Sequence, residues 1–152
     1  MSIGMFTLNR QDMGVFEGLL PESVKDNAGK PGYYVLGVAD DDYTILGMAQ
    51  FYIGMTPDRT ITAEVCYIYV KEGSRGQGLA TRMIDKVHRI LKKSGVERSM
   101  VLLEKTGKET EFFRQNGYIF MKMDDASGEF LLKLHPDVEK VDVHQGIRWS
   151  TK

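Results

Sequence analysis

Apolar positions along the 152-residue chain recur with two different periods, and the order of these periods predicts the order of strands and helices. Several runs alternate apolar and polar residues, are rich in β-branched and aromatic side chains, and lie between turn-forming glycine, proline and aspartate residues, which is typical of strands. The predicted strands are residues 3–8, 33–39, 44–53, 60–70, 99–103, 118–123 and 129–134.

Four segments follow the 3.6-residue helical period instead. The clearest begins at Leu79 and places Met83, Val87 and Leu91 on one face, with charged residues on the other, until Gly95 ends it. The predicted helices are residues 11–20, 21–27, 79–95 and 107–115, and Pro21 separates the first two. The resulting order is β-α-α-β-β-β-α-β-α-β-β.

The segment from Val70 to Ala80 ends the fourth predicted strand and opens the third helix through a glycine-rich turn. Because Gly76 and Gly78 lack a Cβ and the first helical turn carries N–H groups without intrahelical acceptors, this geometry favours an anionic ligand. A Walker A motif is excluded, since no lysine follows Gly78. A dinucleotide fingerprint is disfavoured, since Thr81 stands where its third glycine belongs.

The pattern that remains is Val-x4-Arg/Gln-x-x-Gly-x-Gly/Ala, which Val70, Arg75, Gly78 and Ala80 match. It resembles motif A of the GNAT superfamily of acyl-CoA-dependent N-acyltransferases. After the fifth strand, the segment 112–118 (FFRQNGY) resembles the aromatic ending of motif B of the same family. The resemblance covers residues 1–135, which are predicted to be a GNAT acyltransferase domain, and leaves 136–152 as a C-terminal tail.

The resemblance implies an α+β fold, classed as α/β in some schemes: a central mixed, mostly antiparallel sheet of about seven strands with four helices, splayed between strands 4 and 5. It also implies acetyl-CoA or another acyl-CoA as the cofactor and a primary amine, of a small molecule or a peptide, as the acceptor. Backbone amides would hold the pyrophosphate, and the pantetheine arm would pair with the fourth strand. The implied cofactor-binding residues are Ile68, Tyr69, Val70, Arg75, Gly76, Gln77, Gly78, Leu79, Ala80, Thr81 and Thr106.

Glu64 is the predicted catalytic base, because several GNAT enzymes place a glutamate at its spacing from motif A. Strict alternation puts Glu64, Cys66, Ile68 and Val70 on one face of the strand. A carboxylate in a partly apolar cleft would have a raised pKa and could accept the proton of the amine. The alternative is a solvated strand residue with no catalytic role.

The general acid stays unassigned, because Phe113 stands where many relatives carry a tyrosine that protonates the leaving thiolate. Water, Tyr67 or Tyr118 could substitute. A non-catalytic acyl-CoA-binding or sensing module of the same fold is therefore an alternative function, and a nucleotide-binding domain is a second.

The charge and composition of the chain limit the classes of binding partner and the cellular compartment that we expect. The chain has 20 Lys and Arg against 21 Asp and Glu, a net charge of −1, so nucleic acid is not expected as a partner. No apolar run has membrane-spanning length and no signal peptide is evident, so no membrane association is expected. The single cysteine, Cys66, fits a reducing compartment, and a cytoplasmic location is expected.

A bound metal ion is not expected, since His135 and His144 lack the spacing of a metal site. A nucleophilic pair of Cys66 and His88 is disfavoured, because His88 is predicted to lie on the polar face of its helix. The tail 136–152 either packs back on the sheet, joins a second copy in a homodimer, or belongs to a truncated continuation.

Overall fold

A computed structural model of the chain describes residues 3–103, 107–124 and 128–134. These residues form one seven-stranded sheet in the order β1-β2-β3-β4-β5-β7-β6. All neighbouring strands are antiparallel except β4 and β5, which are parallel. The strands are β1 (Gly4–Thr7), β2 (Tyr33–Ala39), β3 (Ile45–Met55), β4 (Ile61–Val70), β5 (Arg98–Leu103), β6 (Ile119–Asp124) and β7 (Gly128–Leu134). The predicted mixed, mostly antiparallel sheet is confirmed.

Three α-helices accompany the sheet in the described part of the chain, with two short 3₁₀ segments. The α-helices are α1 (Glu22–Asn27), α2 (Leu79–Lys93) and α3 (Gly107–Gln115), and the 3₁₀ segments are Asp12–Phe16 and Glu72–Ser74. None of the helices in the described ranges is long and apolar enough to cross a membrane.

The predicted helix over 11–20 is wrong, because only the 3₁₀ segment Asp12–Phe16 forms there. Its buried residues, Met13 and Phe16, are three positions apart, a spacing that a 3₁₀ turn satisfies as well as an α-helix does. Gly14 lies inside the segment, and Gly18 adopts a left-handed φ of +78°, so the chain cannot continue helically toward Pro21. The fold therefore has three described α-helices where four were predicted.

The two faces of the sheet carry separate apolar cores. The larger core lies under α2, whose residues Met83, Ile84 and Val87 are fully buried against β2, β3 and β4. The smaller core lies on the opposite face, where Phe16 and Val24 pack against Val35 and Met48. The amide of buried Gln50 ties the sheet to α1 by donating to the Val24 carbonyl at 2.8 Å.

Strands β4 and β5 separate soon after they begin to pair. Only three residues of β4 are in register with β5, and the last of these pairs is Glu64 with Met100. The β4 segment from Val65 to Val70 therefore has pairing on its β3 side alone among the described strands. The predicted splay between strands 4 and 5 is confirmed.

A β-bulge at Cys66 changes which side chains of β4 share a face. Gln50 of β3 lies opposite Tyr67 and the next residue, Phe51, lies opposite Val65, so Cys66 is the extra residue. Val65 and Ile68 accordingly both contact the larger core, whereas Tyr67 contacts the smaller one. The prediction that Glu64, Cys66, Ile68 and Val70 share a face is wrong, because strict alternation fails at a bulge.

Candidate functional site

The start of α2 presents an open, backbone-lined tip. Gly76 and Gly78 have φ values of +80° and +74°, and Gly78 is the N-cap of the helix. The first intrahelical bond runs from the Arg82 N–H to the Gly78 carbonyl at 3.0 Å, so the amides of the three preceding helical residues lack intrahelical acceptors. A Cβ built on Gly76 or Gly78 meets no atom of the described chain within 4 Å. These glycines permit a left-handed turn that faces open space, and neither is required by packing.

A cavity of about 470 Å³ lies between this helix tip and the part of β4 that does not pair with β5. Its lining brings together most of the cofactor-binding residues predicted from sequence: Ile68, Val70, Arg75, Gly76, Gly78, Leu79, Ala80 and Thr81. Tyr69 and Gln77 are not in the lining; the Tyr69 ring packs edge-on against Phe16 on the other face, at 5.8 Å between centroids. Thr106 lies outside the described residues.

The side chain of Arg75 folds back onto β4. Its Nε donates to the Val70 carbonyl at 2.9 Å, and its guanidinium carbon lies 5.6 Å from the centroid of the Tyr69 ring. Its backbone N–H makes only a long bond of 3.4 Å to the Glu72 carbonyl. In this arrangement the guanidinium occupies a backbone acceptor of β4 and is not extended over the helix tip.

A second cavity, of about 460 Å³, follows the gap between β4 and β5. It adjoins the first, because Ile68, Glu109 and Phe112 line both. Its lining also includes Pro21, which precedes α1, and Phe113 of α3, which belong to opposite faces of the sheet. The two cavities form an elongated cleft that starts at the α2 tip and continues into the gap between the strands.

Glu64 lies at the head of this gap, as the last residue of β4 in register with β5. Its side chain is half-buried, and loss of hydration raises the pKa of its carboxyl above the ordinary 4.5. Across the ladder it faces Tyr52 of β3, on the face that also carries Tyr67 beyond the bulge. Glu64 is not among the residues that line either cavity. A raised carboxyl pKa makes its carboxylate a better proton acceptor than that of an exposed glutamate.

Cys66 lines the second cavity with a neutral thiol. Burial, and then the charge of Glu64, raises the pKa of Cys66 to about 12. Its Sγ lies 3.7 Å from the Glu64 carbonyl oxygen. Because nucleophilic cysteines act as thiolates, this environment is unsuited to covalent catalysis.

Tyr118 belongs to the core. It is 3 % exposed, and its hydroxyl lies 2.9 Å from Ser99 Oγ and 3.0 Å from His88 Nε2. Burial raises the pKa of the phenol strongly. The His88 ring packs against this buried tyrosine with 5.5 Å between ring centroids. The prediction that His88 lies on the polar face of its helix is wrong for this reason. Tyr118 is poorly placed to act as a general acid in the cleft.

Phe113, the departure from the family tyrosine, is 5 % exposed and lines the second cavity. Its ring makes edge-to-face contacts with Phe112 and Tyr118, both at 5.2 Å between centroids. A phenyl ring can neither donate nor accept a proton, so Phe113 itself supplies only packing to this wall of the gap.

Sequence reasoning missed Ser74, Glu109 and Phe112 as cavity-lining residues. Glu109 and Phe112 are three residues apart in α3, which is the spacing of neighbours on one helix face, but only the packing of α3 over the gap brings that face to the cleft. Among the described residues, no group of three or more histidine, cysteine, aspartate or glutamate side chains could hold a metal ion.

Comparisons with known proteins agree with this geometry. Solved structures with the same fold include the PaiA N-acetyltransferase of Thermoplasma acidophilum in complex with coenzyme A, which is 17% identical with a TM-score of 0.67, over 89% of this chain and 100% of that one. The ribosomal-protein-S18-alanine N-acetyltransferase of Escherichia coli is 13% identical with a TM-score of 0.69, over 88% of this chain and 94% of that one. A mutant of the SpeG spermidine N-acetyltransferase of Vibrio cholerae is 11% identical with a TM-score of 0.71, over 87% of this chain and 93% of that one.

At these identities the likeness shows the fold alone. A search of curated proteins gave no match. The model of the acetyltransferase (GNAT) family, in contrast, matches residues 4–118, which span both sequence motifs and the whole cleft-forming region from β1 to the start of β6. The chain therefore belongs to the acetyltransferase (GNAT) family.

Proposed function

We propose that the protein is an acyl-CoA-dependent N-acyltransferase that transfers acetyl from acetyl-CoA to a primary amine by direct attack. The observation that carries this proposal is the continuity of the cleft: the amide-lined tip of α2 opens into the gap where β4 leaves β5. An anion site and a strand edge joined in this way fit a ligand with a diphosphate at one end and an amide-bearing arm at the other.

Each part of the cleft has a role in holding the donor. The amides of Gly76 to Thr81 would bind the diphosphate, helped by the positive end of the α2 dipole. The backbone of Ile68 to Val70 would pair with the extended arm as an added strand pairs with a sheet edge, and Arg75 would release the Val70 carbonyl to allow this pairing. A bound acyl thioester supplies the electrophilic carbonyl.

Glu64 is the proposed base. The nitrogen of a neutral amine forms the new bond to the carbonyl carbon, its proton passes to the Glu64 carboxylate directly or through water, and the bond to sulfur breaks with the electron pair leaving on the thiolate. A raised carboxyl pKa makes Glu64 a stronger base than an exposed glutamate. Because a thiol has an ordinary pKa of about 8.5, the thiolate can leave without a dedicated acid such as the tyrosine that Phe113 replaces.

The alternative function is a non-catalytic acyl-CoA-binding module, and Phe113 is the observation that favours it. The ring is packed between Phe112 and Tyr118 and brings no proton donor to the gap. Such a module would bind the donor in the same cleft without turnover.

Acetyl-CoA-dependent thiol release, screened over small amines and peptides, tests the proposal. Calorimetric titration with acetyl-CoA, NAD and ATP accompanies the screen. We expect tight binding of acetyl-CoA and thiol release that depends on an added amine. Binding without release over a broad panel would support the non-catalytic module, and a preference for NAD or ATP would contradict the assignment of the cleft.

A further inference from the structure

Two tyrosines and Glu64 form a row across three strands, on the face of the sheet opposite α2. Tyr33 of β2 lies opposite Tyr52 of β3, and Tyr52 lies opposite Glu64 of β4. The two rings contact each other with 4.8 Å between centroids. Directly opposite residues in an antiparallel pair hold their Cβ atoms about 5 Å apart, so Tyr52 lies next to the proposed base and Tyr33 lies one strand further away.

The ring of Tyr52 rests on two glycines. A Cβ on Gly32 would lie 2.6 Å from Cε1 of the ring, and a Cβ on Gly54 would lie 2.6 Å from Cε2. Any other residue at Gly54 would push the ring off the strand. Tyr52 is nevertheless 37% exposed, so part of its side chain is open to solvent. The backbone thus supports the ring as a fixed platform.

The Glu64 carboxylate beside this platform has no cationic partner within the described part of the chain. Loss of hydration is the cause of the raised pKa of Glu64, and no lysine, arginine or histidine of the described residues pairs with its carboxyl. The pKa of the Tyr33 phenol is raised by loss of hydration and then by Cys66, Glu64 and Tyr52, so these groups lie within electrostatic range of one another. A half-buried carboxylate next to aromatic faces is complementary to an ammonium group.

We propose that Tyr33, Tyr52 and Glu64 form the acceptor subsite, and that this subsite selects primary alkylammonium acceptors over neutral molecules of the same shape. This inference rests on the proposed function. The ammonium group would bind beside the exposed part of the Tyr52 ring and the Glu64 carboxylate. One proton leaves to bulk water to give the neutral amine, and the proton released when that amine attacks the thioester carbonyl passes to Glu64. Tyr52 is a specificity-determining residue in this scheme, and Gly54 is a positioning residue that keeps the ring in place.

The expected contribution of the Tyr52 ring to ammonium affinity depends on how exposed the site is. A cation–π contact contributes a factor of roughly 3 to 30 in affinity, with the lower end for exposed rings and the upper end for desolvated ones. Tyr52→Phe keeps the aromatic face, and Tyr52→Leu removes it. The two variants therefore separate an aromatic role from the loss of a hydroxyl.

The experiment is a titration of the 152-residue chain, labelled with ¹³C in the tyrosine rings, with n-butylammonium chloride and, separately, with 1-butanol. We expect saturable shifts of the Tyr33 and Tyr52 ring signals with butylammonium and not with butanol. Tyr52→Leu should weaken the butylammonium affinity roughly 3- to 30-fold as read from Tyr33, and Tyr52→Phe should leave it within about twofold.

Tyr34→Leu is the matched control. Tyr34 is the next residue in β2, is 48% exposed, and stacks on Phe51 on the other face of the sheet. We expect it to leave butylammonium binding unchanged. Gly54→Ala should weaken binding as Tyr52→Leu does, although it retains both rings.

Transfer kinetics provide the second measurement. Tyr52→Leu should raise KM for n-butylamine and leave the Kd for acetyl-CoA unchanged. Equal shifts with butanol and butylammonium, or an unchanged affinity in Tyr52→Leu, would overturn the subsite. Butylammonium binding without any thiol release would instead contradict the proposed function and leave the ammonium site standing, so the two failures are distinguishable.

Discussion

Replacing Gly78 by aspartate separates the proposed anion-binding role of the α2 tip from its role in folding. Gly78 is the N-cap of the helix at φ +74°, and a Cβ there meets no described atom within 4 Å. The folding cost is therefore backbone strain alone, about 1–2 kcal/mol for a side chain in the left-handed region. At about 2–4 °C of Tm per kcal/mol for a chain of this size, the variant should unfold roughly 2–8 °C lower and stay folded at 25 °C.

The effect on donor binding should be much larger. With the new carboxylate about 4 Å from a phosphate group bound at the tip, two unit charges would repel by about 4 kcal/mol at an effective dielectric constant of 20. Salt at 0.15 M screens part of this repulsion. Since about 1.4 kcal/mol is a tenfold change, the Kd for acetyl-CoA should rise by on the order of 100- to 1000-fold.

Calorimetric titration with acetyl-CoA and thermal unfolding measure the two effects on the same samples. Gly78→Ala controls for backbone strain and should show a similar Tm with a much smaller loss of affinity. Gly73→Asp controls for charge, because Gly73 lies in open space close in sequence to the tip and is not in the cavity lining. If Gly78→Asp binds acetyl-CoA within about threefold of the parent, or Gly73→Asp loses as much affinity, the diphosphate does not bind at this helix tip.

Three further substitutions test the proton chemistry and the core. Burial raises the pKa of Glu64, so ionising it costs stability as pH rises between the ordinary and raised values. Glu64→Gln should therefore slow transfer at neutral pH and remove the acidic limb of the pH–rate profile. At neutral pH the variant should also unfold at a higher Tm than the parent. This difference in Tm should vanish below the ordinary carboxyl pKa, where Glu64 is protonated in both the folded and the unfolded parent. Phe113→Tyr should leave kcat unchanged for a good acceptor; a clear rise would mean that the thiolate needs an acid. Tyr118→Phe should lose about 1–3 kcal/mol of stability, because the hydroxyl that it removes contacts Ser99 and His88 in the core. The variant should keep the parent kcat. A loss of kcat with an unchanged Tm would refute this structural role.

Much of the fold could be predicted from local patterns. Helix α2 can be predicted from its apolar stripe and strand β4 from its β-branched run, with bounds correct to within a few residues. This is because helical and strand periods are visible in short windows of sequence. The glycine turn at the start of α2 was predictable for the same reason, since its glycines and the helix start are contiguous in the chain, and its anion-binding role stays a prediction.

The faces of β4 could not be predicted, because the bulge at Cys66 depends on how β3 pairs with β4. No glycine or proline marks the position, and the signal lies in the register between Gln50 and Phe51. The row of Tyr33, Tyr52 and Glu64 is a product of register across three strands in the same way. Local sequence windows contain no information on either feature.

Under the proposed function, the bulge at Cys66 and the splay between β4 and β5 together determine from which faces of the sheet the donor and the amine could reach the gap. Beyond Cys66, Ile68 contacts the α2 side of the sheet and Tyr67 contacts the opposite side, while β5 has already separated from β4. The gap between the strands is lined by residues of both layers, Pro21 from one and Phe113 from the other. A donor held at the α2 tip and an amine held beside Glu64 would thus approach the same gap from opposite faces of one sheet. Under the proposed function, this separation explains why the anion site and the aromatic platform share no residue. Each is built on its own side of the sheet, and they are connected by the segment of β4 that has separated from β5.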